Sequence, residues 1–268
     1  MLYELFPIVL RQKVIVSLYI FTLLSACVDG NSGLPPPPIP EGSPGGIWTG
    51  TDSNGDSIFA VITEDGQFRF LDITTKFQGF GILNVSDEKE ISASYQSVPA
   101  FGLTFADGSL ISDCDASGML VERKTLSVTI TCATDLGSID TSTVDLSFDG
   151  RYEHDSDLAT FAGNWTFSGN PGFDVMSVAA DGLISGQDGN GTNCVYGGQV
   201  AIIDPEFNVY DVAWGYSNCT GAAAVLNGVT FGGIASINRS THPDELIFGG
   251  TGIVEGVLVS WILTYQKM

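Results

Sequence analysis

Asp52-Ser53-Asn54-Gly55-Asp56 sets oxygen-bearing side chains at alternate positions, the spacing of a calcium-binding loop. A complete loop of that kind needs Gly at its sixth position and Glu at its twelfth, and this chain has Ser57 and Thr63 there. Asp188-Gly189-Asn190-Gly191-Thr192-Asn193 has a similar composition and is also incomplete. Asp, Asn and Gly in this order also suit hairpin turns, so turns are expected and no metal. The two histidines stand in His154-Asp155 and His242-Pro243-Asp244-Glu245. A catalytic triad needs such a His to converge with a nucleophile, and neither GxSxG nor HExxH occurs. The chain is therefore expected not to be an enzyme and to carry no cofactor. Tyr210, Trp214 and Tyr216 share one face of a strand by their even spacing. On a barrel interior they are the expected ligand-binding residues, offering flat rings to a small apolar molecule or a sugar; on the exterior they would form a contact patch, and plain core packing is the further reading. Phe77, Phe80, Phe101 and Phe105 could do similar work in the first half.

The elements that position these residues begin after an export signal. Arg11 and Lys13 are the only basic residues before Arg69, and the apolar run Val14 to Leu24 follows them. That is the layout of a signal peptide, too short to span a bilayer, which takes about 20 apolar residues. The run ends in Leu24-Ser25-Ala26-Cys27. This segment resembles the lipobox of bacterial lipoproteins at all four positions. The resemblance implies cleavage before Cys27, acylation of that Cys, and attachment to a membrane by two or three chains, where one alone binds weakly. It also implies, from Val28 after the Cys, the outer membrane. Residues 1–26 are then the signal peptide and 27–45 a lipidated tether, semi-stiff because Pro35 to Pro38 favour polyproline II.

Without residues 1–26 the chain holds 30 acids against 8 bases, a net charge of −22. Nucleic-acid binding wants a basic stripe and is excluded. Abundant Gly, Asp, Ser, Thr and Val suit strands and tight turns. Four cysteines remain besides Cys27. In an oxidising compartment they are expected to pair within each half, Cys114 with Cys132 and Cys194 with Cys219. Closing loops of roughly 20 residues, each bridge contributes ~3 kcal/mol.

Gly46-Ile47-Trp48 recurs as Gly163-Asn164-Trp165, 117 residues on, and Asp65-Gly66 recurs as Asp181-Gly182. Phe148 to Tyr152 closes one half as Leu263 to Lys267 closes the other. Two copies of one unit are expected, at 46–155 and 156–268. Copy one has strand-like runs at 47–51, 57–63, 67–73, 77–85, 90–97, 118–122, 126–132 and 143–152. Copy two has them at 164–168, 173–178, 183–186, 195–203, 208–215, 222–226, 229–237, 245–249 and 257–265. The fold class is all-β: two tandem antiparallel meander barrels of about eight strands each, with a sandwich as the alternative. Closure removes the exposed edges of a meander.

The pattern resembles lipocalin and wider calycin barrels, which carry Gly-x-Trp on the first strand and a base after the last. The resemblance implies that Arg151 lies over Trp48 and Lys267 over Trp165, each a cation on an indole worth ~0.5–2 kcal/mol. Ser156-Asp157-Leu158-Ala159 before Gly163 is also similar to uncharacterised envelope lipoproteins in which Ser-x-Leu-Ala introduces a Gly-x-Trp domain. The function expected is a non-catalytic binding or interaction module of the cell envelope, held by its lipid, with a small ligand or protein partner. The alternative is a structural or adhesin-accessory role at the outer membrane, and an enzyme stands third.

Overall fold

The computed structural model describes residues 42–169, 172–188 and 191–268. The signal segment, Cys27, the proline run and Gly189-Asn190 lie outside the described residues. The first domain comprises β1 (Gly46–Asp52), β2 (Ser57–Ile62), β3 (Gln67–Asp72), β4 (Phe77–Ile82), β5 (Asn84–Val85), β6 (Glu90–Pro99), β7 (Ser112–Val121), β8 (Thr125–Thr134) and β9 (Ile139–Asp149). Neighbouring strands pair antiparallel, β1 pairs with β9, and β4 pairs with β6 to close the ring, so β5 is a two-residue extension beside β6. The second domain comprises β10 (Gly163–Gly169), β11 (Gly172–Val178), β12 (Leu183–Asp188), β13 (Val195–Ile202), β14 (Tyr210–Ser217), β15 (Thr230–Asn238), β16 (Glu245–Val254) and β17 (Val257–Lys267). It closes through Trp165 opposite Lys267. Both domains are thus eight-stranded antiparallel barrels, and the sandwich alternative falls.

Alternation sets the walls. On β8, Leu126 and Ile130 are buried inside while Ser127, Thr129 and Thr131 are exposed outside. On β7, Asp113, Asp115 and Ser117 face out in the same way. This outer face is built for water, unlike the apolar outer band of a membrane barrel. Hairpins tighten where φ turns positive, as at Glu255 (φ 51°) and Gly256 (φ 85°) between β16 and β17.

One side of each barrel breaks the alternation. On β2, Ile58, Ala60 and Ile62 point into the barrel, yet Phe59 and Val61 on the outside are buried too. They join Ile47 and Leu71 against Val209, Ile234, Ile247 and Ile262 of the second barrel. Arg69 crosses this seam: its Nη1 donates to Thr251 Oγ1 at 3.1 Å and its Nη2 to the Gly232 carbonyl at 3.2 Å. Ser260 on β17 accepts from Phe101 N through its carbonyl at 2.9 Å and donates its hydroxyl to the Pro99 carbonyl at 3.0 Å.

Gln78 is fully buried in the seam, and among the described residues neither its amide nitrogen nor its oxygen has a hydrogen-bond partner. It fits because Gly249 opposite lacks a side chain: a Cβ there would lie 2.6 Å from Gln78 Oε1. A buried polar group without a partner costs about 1–3 kcal/mol. Gln78→Met, nearly the same shape, is expected to raise stability by about 1 kcal/mol, read as a higher urea midpoint.

Two segments depart from the sequence reading. Residues 222–226, read as a strand, lie in a 3-10 helix, Gly221–Leu226, where Leu226 turns into the barrel. Ser43, Pro44 and Gly45, read as the end of the tether, are buried at the base of the first barrel. Between the barrels run a 3-10 turn, Gly150–Glu153, and α1 (Leu158–Phe161). Asp157 caps α1 by accepting from Ala159 N and from Thr160 N.

Candidate functional site

The closed ends of the barrels come first, because they fix which ends can open. In both, the motif indole is fully buried and donates to the carbonyl four residues earlier: Trp48 to Pro44 at 3.2 Å, Trp165 to Phe161 at 2.8 Å. In the second barrel Lys267 Nζ stands 5.3 Å from the Trp165 ring and donates to the Thr160 carbonyl at 2.7 Å. The first barrel departs from the expected pairing. Arg151 does not cover Trp48. It lies in the 3-10 turn after β9, donates to Asp149 Oδ2 at 2.7 Å and sits 5.7 Å from the Phe59 ring. The base is capped by Arg123 from the β7–β8 hairpin. Its guanidinium is 4.9 Å from the Tyr152 ring, 5.2 Å from Phe148 and 5.6 Å from Phe207. It also pairs with Glu64 Oε1 at 2.8 Å and donates to the Gly45 carbonyl.

The expected ligand residues occupy the second barrel's core. Tyr210, Trp214 and Tyr216 do point inward together, but the space is filled. Trp214 stacks on Phe231 at 5.0 Å and meets Phe248 edge-on at 4.3 Å. Tyr210 is fully buried, with its hydroxyl against the Asp157 backbone. Tyr216 packs edge-on against Tyr196 and Phe231. The remaining cavity is about 30 Å³. The helix Gly221–Leu226 closes the top, held by the Cys194–Cys219 disulfide and by Asn227, which bonds the Cys219 backbone N–H and C=O at 2.8 and 3.0 Å. Asp174, which the sequence did not single out, is half-buried beside these rings. Burial pushes its carboxyl up, against hydrogen bonds from the Tyr196 and Tyr265 hydroxyls at 2.7 and 3.3 Å.

The open end belongs to the first barrel. A cavity of about 490 Å³ occupies its mouth, opposite the Trp48 base. Phe70 of β3, Phe77 of β4 and Tyr95 of β6 line it, with the Cys132 half of the Cys114–Cys132 disulfide on the far wall. Phe105 enters from the β6–β7 connection and stacks on Phe77 at 4.7 Å. That connection is held by Asp107, which accepts from Ser109 N at 3.0 Å and Thr134 Oγ1 at 2.5 Å; these hydroxyl and backbone bonds hold its carboxyl well below the usual range. Of the other phenylalanines the sequence grouped with these, Phe80 lies under Arg69 and Phe101 packs on Trp261, so neither reaches the mouth.

Asp52, Asp56, Asp72, Asp107 and Asp140 stand around the cavity, and no Lys, Arg or His lines it. The calcium-like stretch therefore ends up on the rim. It is a turn, in which Asp52 Oδ1 accepts from Asn54 N at 2.8 Å and Asp56 N at 2.9 Å. Among the described residues no cluster of three or more His, Cys, Asp or Glu is arranged to hold a metal ion. His154 and His242 are both exposed, in the inter-barrel link and the β15–β16 loop.

No protein-family model matches the chain, and no curated protein matches it by sequence. Among solved structures it is similar to a "putative outer membrane protein" from Bacteroides fragilis, at 12% identity over 83% of this chain and 95% of that one, with a TM-score of 0.24. A likeness at that level identifies neither a family nor an activity.

Proposed function

We propose that this is a non-catalytic binding protein of the bacterial envelope, anchored through acyl chains on Cys27, whose first barrel takes a small ligand at its mouth. The observation that carries this reading is the asymmetry between two barrels of one topology. The second is filled by Tyr210, Trp214, Phe231 and Phe248, while the first keeps a mouth of about 490 Å³. That volume lies within the range of small-molecule sites, about 300–1,000 Å³, and aromatic rings share its lining with acidic and hydroxyl side chains. Two closed disulfides suit an oxidising compartment, and the lipobox resemblance supplies the anchor. The second barrel then serves as a rigid mount, joined through the seam of Ile47, Phe59, Val61 and Leu71.

A structural role at the outer membrane is the second reading. It is favoured by exposed Leu103 and Leu110 beside Val257 around a groove of about 330 Å³ between the barrels.

Native mass spectrometry of the protein purified from its own membrane separates the two readings. A binding protein shows extra non-covalent mass that is lost on unfolding, and less of it in a Phe77→Ala variant. Bare chains in both preparations would move the reading to the structural role. An unmodified Cys27 in either spectrum would remove the lipid anchor.

A further inference from the structure

We infer that the mouth of the first barrel binds a small organic cation with an apolar body, its charge held beside Asp56 and its body against Phe70, Phe77 and Phe105. The inference rests on the binding reading above and gives the ligand its chemical class.

Charge is the first argument. Among the described residues five aspartates and no basic residue line the cavity, so an anionic ligand would be repelled from it. The carboxylates differ in what they have left to give. Asp52 is occupied by the Asn54 and Asp56 backbone N–H groups and the Asn54 side-chain amide. Asp72 accepts from Thr74 N at 2.9 Å, Thr75 N at 2.8 Å and the Thr75 hydroxyl. Among the described residues none donates to the Asp56 carboxylate, and loss of hydration together with the charges of Asp72 and Asp52 pushes its carboxyl up. A cation placed there would relieve a repulsion that the fold itself leaves standing.

The second argument comes from the floor. Tyr95 lies along the wall over Gly79 and Gly81 of β4, where a Cβ would stand 2.5 Å from its Cε2 and 3.0 Å from its Cβ. Laid this way, from Gly81 toward Gly79 and Phe77, the ring carries its hydroxyl up into the cavity. Tyr95 is partly buried, its hydroxyl has no hydrogen-bond partner among the described residues, and loss of hydration pushes its pKa up. The hydroxyl is thus left open toward the cavity, where a polar group of a ligand or a water can complete its hydrogen bonds.

The third argument concerns size. The carboxylates do not converge as metal ligands do, whereas the stacked rings of Phe77 and Phe105 offer faces to a weakly hydrated cation. Among the described residues the second barrel, with the same strand order, shows a packed interior in place of such a mouth, so the cavity follows from this sequence rather than from the fold.

The test is calorimetric titration of the full chain with phenethyltrimethylammonium, the neutral 4-phenylbutan-1-ol and the anionic 3-phenylpropane-1-sulfonate. The expected result is one site per chain that takes the ammonium about tenfold more tightly than the alcohol and does not take the sulfonate. Asp56→Asn is expected to remove most of that preference while leaving the alcohol's affinity unchanged. Asp113→Asn, on the outer wall of the same barrel, is expected to change nothing. Phe77→Ala is expected to weaken ammonium and alcohol alike. Equal affinity for ammonium and alcohol, or an ammonium affinity indifferent to Asp56→Asn, would overturn the cation inference. The mouth would still stand as a binding site if Phe77→Ala weakened the alcohol. Silence with all three probes also overturns the inference, and the native mass spectrum then judges the binding reading by itself.

Discussion

Trp214→Ala is expected to lower the unfolding free energy by about 3–5 kcal/mol and to leave ligand retention unchanged. The side chain is almost completely buried, stacks on Phe231, meets Phe248 edge-on, and fills space that Gly250 leaves free: a Cβ on Gly250 would stand 2.6 Å from Trp214 Cη2. Cutting it back removes contacts on several sides at once. The void cannot close easily, because the surrounding wall is a hydrogen-bonded ring and its top is fixed by the Cys194–Cys219 bridge. The check is a urea denaturation midpoint, set beside the bound mass in a native spectrum. A large drop in midpoint with bound mass intact marks Trp214 as core. An unchanged midpoint with bound mass lost would instead make it the ligand residue that its spacing on β14 suggests.

That ambiguity shows where the sequence stops speaking. The meander was legible because its signals are local. Asp65-Gly66 and Asp181-Gly182 build the same turn: Gly66 has φ 86° and Gly182 φ 84°, and the next-but-one strand bonds back to each glycine carbonyl, through Leu83 N and Val200 N. The Gly-x-Trp repeat was legible for the same reason, since each indole finds its carbonyl four residues back. That Tyr210, Trp214 and Tyr216 share one face followed from period two as well. Whether an inward ring meets a ligand or another ring depends on the strands across the barrel, and period carries no information about those. The seam was hidden similarly. The run from Ile58 to Ile62 could be read as one strand, but only Ile234 and Ile247 of the second barrel explain why both of its faces are apolar. The mouth drew two partial signals, the acidic stretch at Asp52–Asp56 and the phenylalanines near residue 100. Nothing in their spacing placed Asp56, Phe77 and Tyr95 around one cavity, because the barrel that gathers them closes only when β4 pairs with β6.

The closed end of the first barrel supplies the other large effect. Arg123→Met is expected to destabilise the protein by about 3 kcal/mol, and Arg151→Met by under about 1 kcal/mol. The sequence resemblance singles out Arg151, which follows the last strand as the base in the motif should. The geometry puts Arg123 in that place instead. Arg123 is 15% exposed and bonds Glu64, itself 19% exposed, at 2.8 Å. Glu64 also receives the Tyr152 hydroxyl at 3.0 Å and the Ser43 hydroxyl. Removing the guanidinium leaves that carboxylate half-desolvated with hydroxyl donors alone, and it strips a cation from the rings of Phe148, Tyr152 and Phe207. Those rings belong to the last strand of one barrel, the link, and a loop of the other, so the loss is felt across the joint. Among the described residues Arg151 pairs with Asp149 alone, two residues back at the end of β9, and a methionine stem can keep contact with Phe59. Paired urea titrations of the two variants decide the matter. Adding Glu64→Gln to Arg123→Met is expected to recover part of the loss, because it removes the charge that the first change strands. Equal costs for the two arginines, or no recovery in the double variant, would mean that the Glu64–Arg123 pair does not hold the base together.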